Sequence, residues 1–125
     1  MRILLDTNVL LWFVSDDAGL SPEYKKLIED AENEINVSVA SLWEITIKLN
    51  IGKLEMDKDF KTFLKVVTQD YDFRILQITE NHLFRYLGLP LIHRDPFDRL
   101  IYSQAKSENM TFLFTDEIFK HYDSA

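Results

Sequence analysis

Apolar positions along the chain fall into two alternating patterns. Ile3-Leu4-Leu5 is a short unbroken apolar run with no turn residue in it, as in a strand buried on both faces. Ile35-Asn36-Val37-Ser38-Val39, residues 73–78 and Thr111-Phe112-Leu113-Phe114-Thr115 read as three further short strands. Between them the apolar residues recur at helical spacing. Residues 6–14 form the first helix, capped by Asp6 or Thr7, with almost no polar face after Val9. Asp16, Asp17 and Gly19 make a turn, and Ser21-Pro22-Glu23 opens a second helix with Tyr24, Leu27, Ile28 and Ala31 as its stripe.

The pattern continues through the second half. Ser41 is placed to cap a helix over residues 42–50, with Leu42, Ile45 and Leu49 on one side and Glu44 and Lys48 on another; Gly52 ends it. Asp57 starts a helix in which Phe60, Phe63, Leu64 and Val67 share a face. Thr79 caps a helix that runs to Leu87 and stops at Gly88. After a loop over residues 89–94, Asp95-Pro96-Phe97-Asp98 opens a helix with a clear stripe of Phe97, Leu100, Ile101, Gln104 and Ala105, closed by Asn109. A short helix over residues 118–122 follows the last strand. Strands alternating with helices call for an α/β domain: a single unit with a central, mainly parallel sheet of four or five strands flanked by helices on both faces.

Composition narrows the picture. The 125 residues suit one domain with a proper core, and a hydrophobic share of 46% is too high for a disordered chain. There is no cysteine, which excludes disulfides and thiolate metal sites. The longest apolar run is too short to span a bilayer, and the N-terminus has no signal-peptide pattern, so a cytoplasmic protein away from membranes is expected. The formal net charge of −7 argues against a general affinity for nucleic acid. That argument weakens if several carboxylates gather around cations.

The acids are arranged for such a gathering. Asp6 follows the first strand, Glu44 lies about a helical turn beyond the second, Asp95 and Asp98 open the helix before the fourth, and Asp116 follows the fourth. Parallel strands all end on one side, the side where ligands bind in open α/β sheets. Four converging carboxylates raise one another's pKa unless a cation compensates, and hard Mg²⁺ or Mn²⁺ prefers oxygen ligands. Thr7, Asn8 and Thr115 are placed to orient a carboxylate or a bound water.

Plainer roles compete at each position. Asp6 and Asp116 fit helix caps, Glu44 fits an i,i+4 pair with Lys48, and Asp95 and Asp98 fit an ordinary helix start. Arg99 fits either a phosphate contact or the partner of an acid. His82 and His121 read as surface or partly packed residues, and His93 and Arg94 as loop residues beside the site. Lys48 and Lys53 are candidate phosphate contacts, while Trp12, Phe13 and Trp43 read as core or dimer surface. No Cys or elbow-type Ser offers a covalent nucleophile.

Four stretches, in order, bring a family into view: Leu5-Asp6-Thr7-Asn8-Val9-Leu10-Leu11-Trp12, Ser38-Val39-Ala40-Ser41-Leu42-Trp43-Glu44-Ile45, the run from Leu89 to Ile101 containing His93-Arg94-Asp95-Pro96-Phe97-Asp98-Arg99, and Phe114-Thr115-Asp116. With these the chain resembles the PIN-domain ribonucleases, and among them the VapC-like toxins of bacterial toxin–antitoxin pairs. The resemblance implies an acidic quartet at Asp6, Glu44, Asp98 and Asp116, with Asp95 as a neighbour. It further implies Mg²⁺- or Mn²⁺-dependent cleavage of RNA, a homodimer, and inhibition by a cognate antitoxin. Family members commonly add a short strand after the last helix, where this chain has Asp123-Ser124-Ala125. Two other functions stay open on the residues alone. One is a Mg²⁺-dependent phosphatase with Asp6 as its nucleophile, which would want a second acid where Asn8 stands. The other is a non-catalytic docking module with the same fold.

Overall fold

β1 (Arg2–Leu5) runs through the middle of the sheet and sorts the side chains into two layers. The computed structural model describes the backbone of residues 1–124 and the side chains of residues 1–122. β2 (Glu34–Ser38), β3 (Arg74–Leu76) and β4 (Thr111–Leu113) complete an all-parallel sheet in the order β3-β2-β1-β4. Side chains of a strand alternate between faces. Ile3 and Leu5 therefore join Val9, Leu10, Val37, Phe63 and Leu113 in the larger core, while Leu4 joins Ala40, Ile101, Ala105 and Met110 in the core on the other face. Ile3, Leu4 and Leu5 are fully buried, as a two-sided strand requires.

The connecting helices are α1 (Thr7–Ser15), α2 (Pro22–Glu29), α3 (Val39–Asn50), α4 (Phe60–Lys65), α5 (Glu80–Leu87), α6 (Pro96–Ser107) and α7 (Lys120–Ser124). α4 runs on into a π-type turn over Val66–Asp70, and a 3₁₀ turn at Glu117–Phe119 precedes α7. Among the described residues, no helix is long and apolar enough to cross a membrane. Residues 123 and 124, where family members commonly have a further strand, belong to α7, and Ala125 lies outside the described residues.

Several boundaries move for identifiable reasons. α3 starts at Val39, not Leu42, because Ser38 at the end of β2 is its cap and accepts from the Ala40 N–H. Ser41 is instead buried inside the helix. α4 is capped by Asp59, which accepts from Thr62, not started by Asp57. Ala31 lies beyond the end of α2. β3 is shorter than the apolar run around it: it is an edge strand, and the Gln77 carbonyl just past it turns to accept from Gln104 Nε2 at 3.3 Å. β4 stops at Leu113, whose carbonyl accepts from the Asp6 N–H.

His82, expected near the surface, is wholly buried between α5 and α6. Its Nδ1 accepts from the Thr79 N–H at 3.0 Å, completing a capping box in which His replaces the usual Glu or Gln. That acceptor role leaves Nε2 as the protonated nitrogen, facing Glu108 Oε2 at 2.8 Å. Gln104 bonds the Ser38 hydroxyl through Oε1, so α6 holds the cap of α3. Ser38→Ala removes that cap and leaves Gln104 Oε1 without its partner. It is expected to lower unfolding free energy by about 1–3 kcal/mol in urea denaturation, with the circular-dichroism spectrum unchanged.

Candidate metal centre

The chain leaves β1 toward β2 on one side and returns to β4 on the other, so β1 and β4 flank the switch point of the sheet, where a crevice opens at the carboxyl ends. Asp6 stands there. Its N–H continues the sheet by donating to the Leu113 carbonyl at 2.9 Å. Its Oδ1 accepts from Val9 N at 2.7 Å, capping α1, and its Oδ2 accepts from Thr115 N at 3.0 Å. The residue is 4% exposed. Burial pushes its pKa up to about 6 despite the two backbone hydrogen bonds that favour the ionised form, and the charges of Asp98 and Glu44 push the same way.

Glu44 reaches this edge from α3 and is buried. Oε1 accepts from the Thr7 hydroxyl at 2.7 Å, and Oε2 pairs with Lys48 Nζ at 3.0 Å. The i,i+4 pair read from the sequence is thus present, with the carboxylate at the switch point rather than on a solvated face. Thr7 has one proton to give and the carboxylate is its stronger acceptor, which leaves the Ser41 hydroxyl, 3.0 Å away, to donate back to Thr7.

Asp98 comes from the first turn of α6. Its N–H donates to Asp95 Oδ1 at 3.1 Å, and its Oδ2 lies 2.7 Å from His93 Nε2. Its pKa is also raised to about 6, by burial first and then by the Asp95 charge; the His93 hydrogen bond works against the rise, and Glu44 adds to it. Asp116 caps the 3₁₀ turn by accepting from Ile118 N at 3.0 Å, and turns Oδ2 toward His93 Nε2 at 3.7 Å.

The four acids thus form two groups that share Asp98. Asp6 feels the charges of Asp98 and Glu44, and Asp98 feels that of Glu44. His93, Asp98 and Asp116 offer ligand atoms all within 4.8 Å of one another. Asp95 caps α6. Asn8 is exposed, with Nδ2 3.4 Å from Thr115 Oγ1, and the Thr115 N–H fixes Asp6. Arg99 is buried, with Nη1 bonding the carbonyls of Pro90 and His93 at 3.1 Å each, and its guanidinium lies 4.9 Å from the Tyr86 ring centroid. It therefore shapes the loop over the site. His93 joins the site, where the sequence suggests a loop residue or an RNA contact beside it; its signal in the sequence is its place five positions before Asp98. The donor set is carboxylate oxygen with one imidazole, and buried carboxyls that resist ionisation alone suit a divalent cation.

The family model described as "PIN domain" matches residues 3–125. Among solved structures, VapBC2 from Rickettsia felis bound to a DNA fragment from its promoter matches with a TM-score of 0.72 at 20% identity, covering 98% of this chain and 93% of that one. FitAcB from Neisseria gonorrhoeae matches with a TM-score of 0.66 at 22% identity, over 97% of this chain and 93% of that one. FitAB bound to the IR36 DNA fragment matches with a TM-score of 0.65 at 22% identity, over 97% and 90%. At these identities the likeness establishes the fold. No curated protein matches the sequence.

The raised pKa of Asp98 has a definite sign. Below the unfolded value of 3.8 the group is protonated in both states; as pH rises through about 6 the fold must hold a charge that the unfolded chain carries freely, and stability is lost. The shift of roughly two units corresponds to about 3 kcal/mol at most, reduced to about 1–2 kcal/mol by partial exposure. In EDTA at pH 8, Asp98→Asn is expected to be more stable than the unsubstituted protein by that amount, and to lose the advantage at pH 4. Urea denaturation at both pH values checks it; a variant less stable at pH 8 would contradict the assignment.

Proposed function

The chain belongs to the PIN domain family, and we propose that it is a Mg²⁺- or Mn²⁺-dependent endoribonuclease, the toxin of a toxin–antitoxin pair acting in the cytoplasm. The observation that carries this reading is the burial of Asp6 at the switch point with the charges of Glu44 and Asp98 upon it. Asp6, Glu44, Asp98 and Asp116 would hold the ion. A divalent ion there lowers the pKa of a water and polarises a phosphodiester.

The protein's own part is positioning. Two backbone N–H groups fix the carboxylate of Asp6, the Thr7 hydroxyl and Lys48 fix that of Glu44, and His93 fixes that of Asp98. Asp116 is half exposed and would face an incoming strand of RNA. A net charge of −7 argues against general nucleic-acid binding, so a cation held by these acids would supply local attraction for phosphate.

The antitoxin reading draws on the resemblance to VapC-like toxins and on the VapBC2 and FitAB structures that share the fold. Such a partner would cover the half-buried Leu11 and Trp12 of α1 or present a basic side chain to the acidic crevice. A groove of about 440 Å³ between α1 and the loop after α3 is lined by Asn8, Leu11 and Trp12 among others. A homodimer is supported by the exposed Leu83, Phe84 and Leu87 of α5. The phosphatase reading loses ground, because both oxygens of Asp6 already accept backbone N–H groups and Asn8 stands where a second acid is wanted.

Purified protein incubated with a panel of structured RNAs is expected to cut at least one of them in Mn²⁺ and none in EDTA. Asp6→Asn and Asp98→Asn should each lower the rate at least 100-fold, on the order expected for removing a group that fixes transition-state charge. Cutting that survives EDTA or both substitutions would sink the proposal, and a folded protein that neither cuts nor binds Mn²⁺ would favour the docking module.

A further inference from the structure

His93 is the one imidazole at the acidic edge, and it is built in from three directions. Its backbone N–H donates to the Tyr122 hydroxyl at 3.0 Å, and its carbonyl accepts from Arg99 Nη1 at 3.1 Å. Both of these partners are buried. Its ring packs edge-on against Phe119 with centroids 5.3 Å apart, and the side chain is only 14% exposed. These contacts come from α6, α7 and the turn between β4 and α7, none of them through the carboxylates. They aim Nε2 at the gap between two acids, 2.7 Å from Asp98 Oδ2 and 3.7 Å from Asp116 Oδ2.

An imidazole held there changes the chemistry of that side of the crevice. Three ligand atoms within 4.8 Å of one another are close enough to surround a single ion. Two are carboxylate oxygens, which suit Mg²⁺ and Mn²⁺; the third is a nitrogen, which favours ions later in the divalent series. Asp98 belongs to this group and also to the one with Asp6 and Glu44, so it is placed to bridge the two.

We propose that His93 is a metal ligand, and that with Asp98 and Asp116 it forms a second cation position beside that of Asp6 and Glu44, selective for transition ions over Mg²⁺. The inference rests on the metal-centre reading above and adds a nitrogen donor to it. Coordination requires Nε2 to be free of a proton, so the bound ring would be the neutral tautomer with its proton on Nδ1, and the ion would take the place of the Nε2–Asp98 hydrogen bond. His93 thereby sets which ion the site takes.

Electron spin echo spectroscopy of Mn²⁺ bound to the unsubstituted protein tests this without any RNA. The expected spectrum carries modulation from a directly coordinated ¹⁴N, absent in His93→Gln. Calorimetry with Zn²⁺ should show affinity falling at least tenfold in His93→Gln, within the range for disturbing a metal site, while Mg²⁺ affinity changes less than threefold. Arg99 and Tyr122 bond the backbone of residue 93, so the loop retains those anchors in the variant. Bound Mn²⁺ with no nitrogen modulation in the unsubstituted protein overturns this inference and leaves the carboxylate centre standing. Unchanged Zn²⁺ affinity in His93→Gln does the same. No Mn²⁺ binding at all would overturn both readings together.

Discussion

The structure depends on a carboxylate buried at the end of its central strand. Asp6 ties three things at once: its N–H extends the sheet to β4, one oxygen starts α1, and the other holds the chain as it leaves β4. The second oxygen carries that attachment two residues past Leu113, to the Thr115 N–H next to Asp116. The same interaction carries a cost. Ionised Asp6 is kept from water, and two hydrogen bonds do not offset its desolvation, since its pKa still lies near 6. The geometry that organises the fold is therefore also a concentration of unmet negative charge.

The opposite wall of the crevice is held by apolar contacts. Tyr102 stacks on Tyr122 with centroids 4.7 Å apart, and Phe119 is buried against Phe112, Phe114 and both tyrosines. This aromatic cluster fixes α7 under the loop before α6, which puts the Tyr122 hydroxyl within reach of His93. Arg99, from the same turn of α6 as Asp98, closes the loop from inside. One helix thus supplies an acid to the crevice on one side and an anchor for its wall on the other. Contacts between α5 and α6, including the buried His82, keep that helix in place.

The parts of this arrangement legible in the sequence are those set by local pattern. The alternation of strand and helix, the two-sided burial of Ile3-Leu4-Leu5 and the stripe of α6 follow from period and polarity, and the structure has them. Boundaries moved where a tertiary bond decided the outcome. Ser38 could cap α3 directly because Gln104 takes its hydroxyl proton, a partner 66 positions away. His82 looked like a surface residue because its burial depends on Glu108 and on the packing of two helices. At the site, the five acids could be placed at one edge from topology. Arg99 and His93 could not be told apart by spacing, since both are charged or polar residues flanking the same helix start. Only the turn of the chain after Leu89 sends one guanidinium inward to carbonyls and one imidazole toward the acids.

These constraints would link cation binding to folding. Asp6 and Asp98 both sit in surroundings that disfavour their charge, and the charge of Glu44 adds to the difficulty of each. A divalent ion reverses the sign of that environment. A ligand at a hundred times its dissociation constant adds about 2.7 kcal/mol to stability, similar in size to the desolvation it relieves at one buried carboxyl. A bound cation would therefore relax the crevice, and a protein partner that places a cationic side chain among the same acids would do so too. Metal and partner would then compete for one electrostatic need.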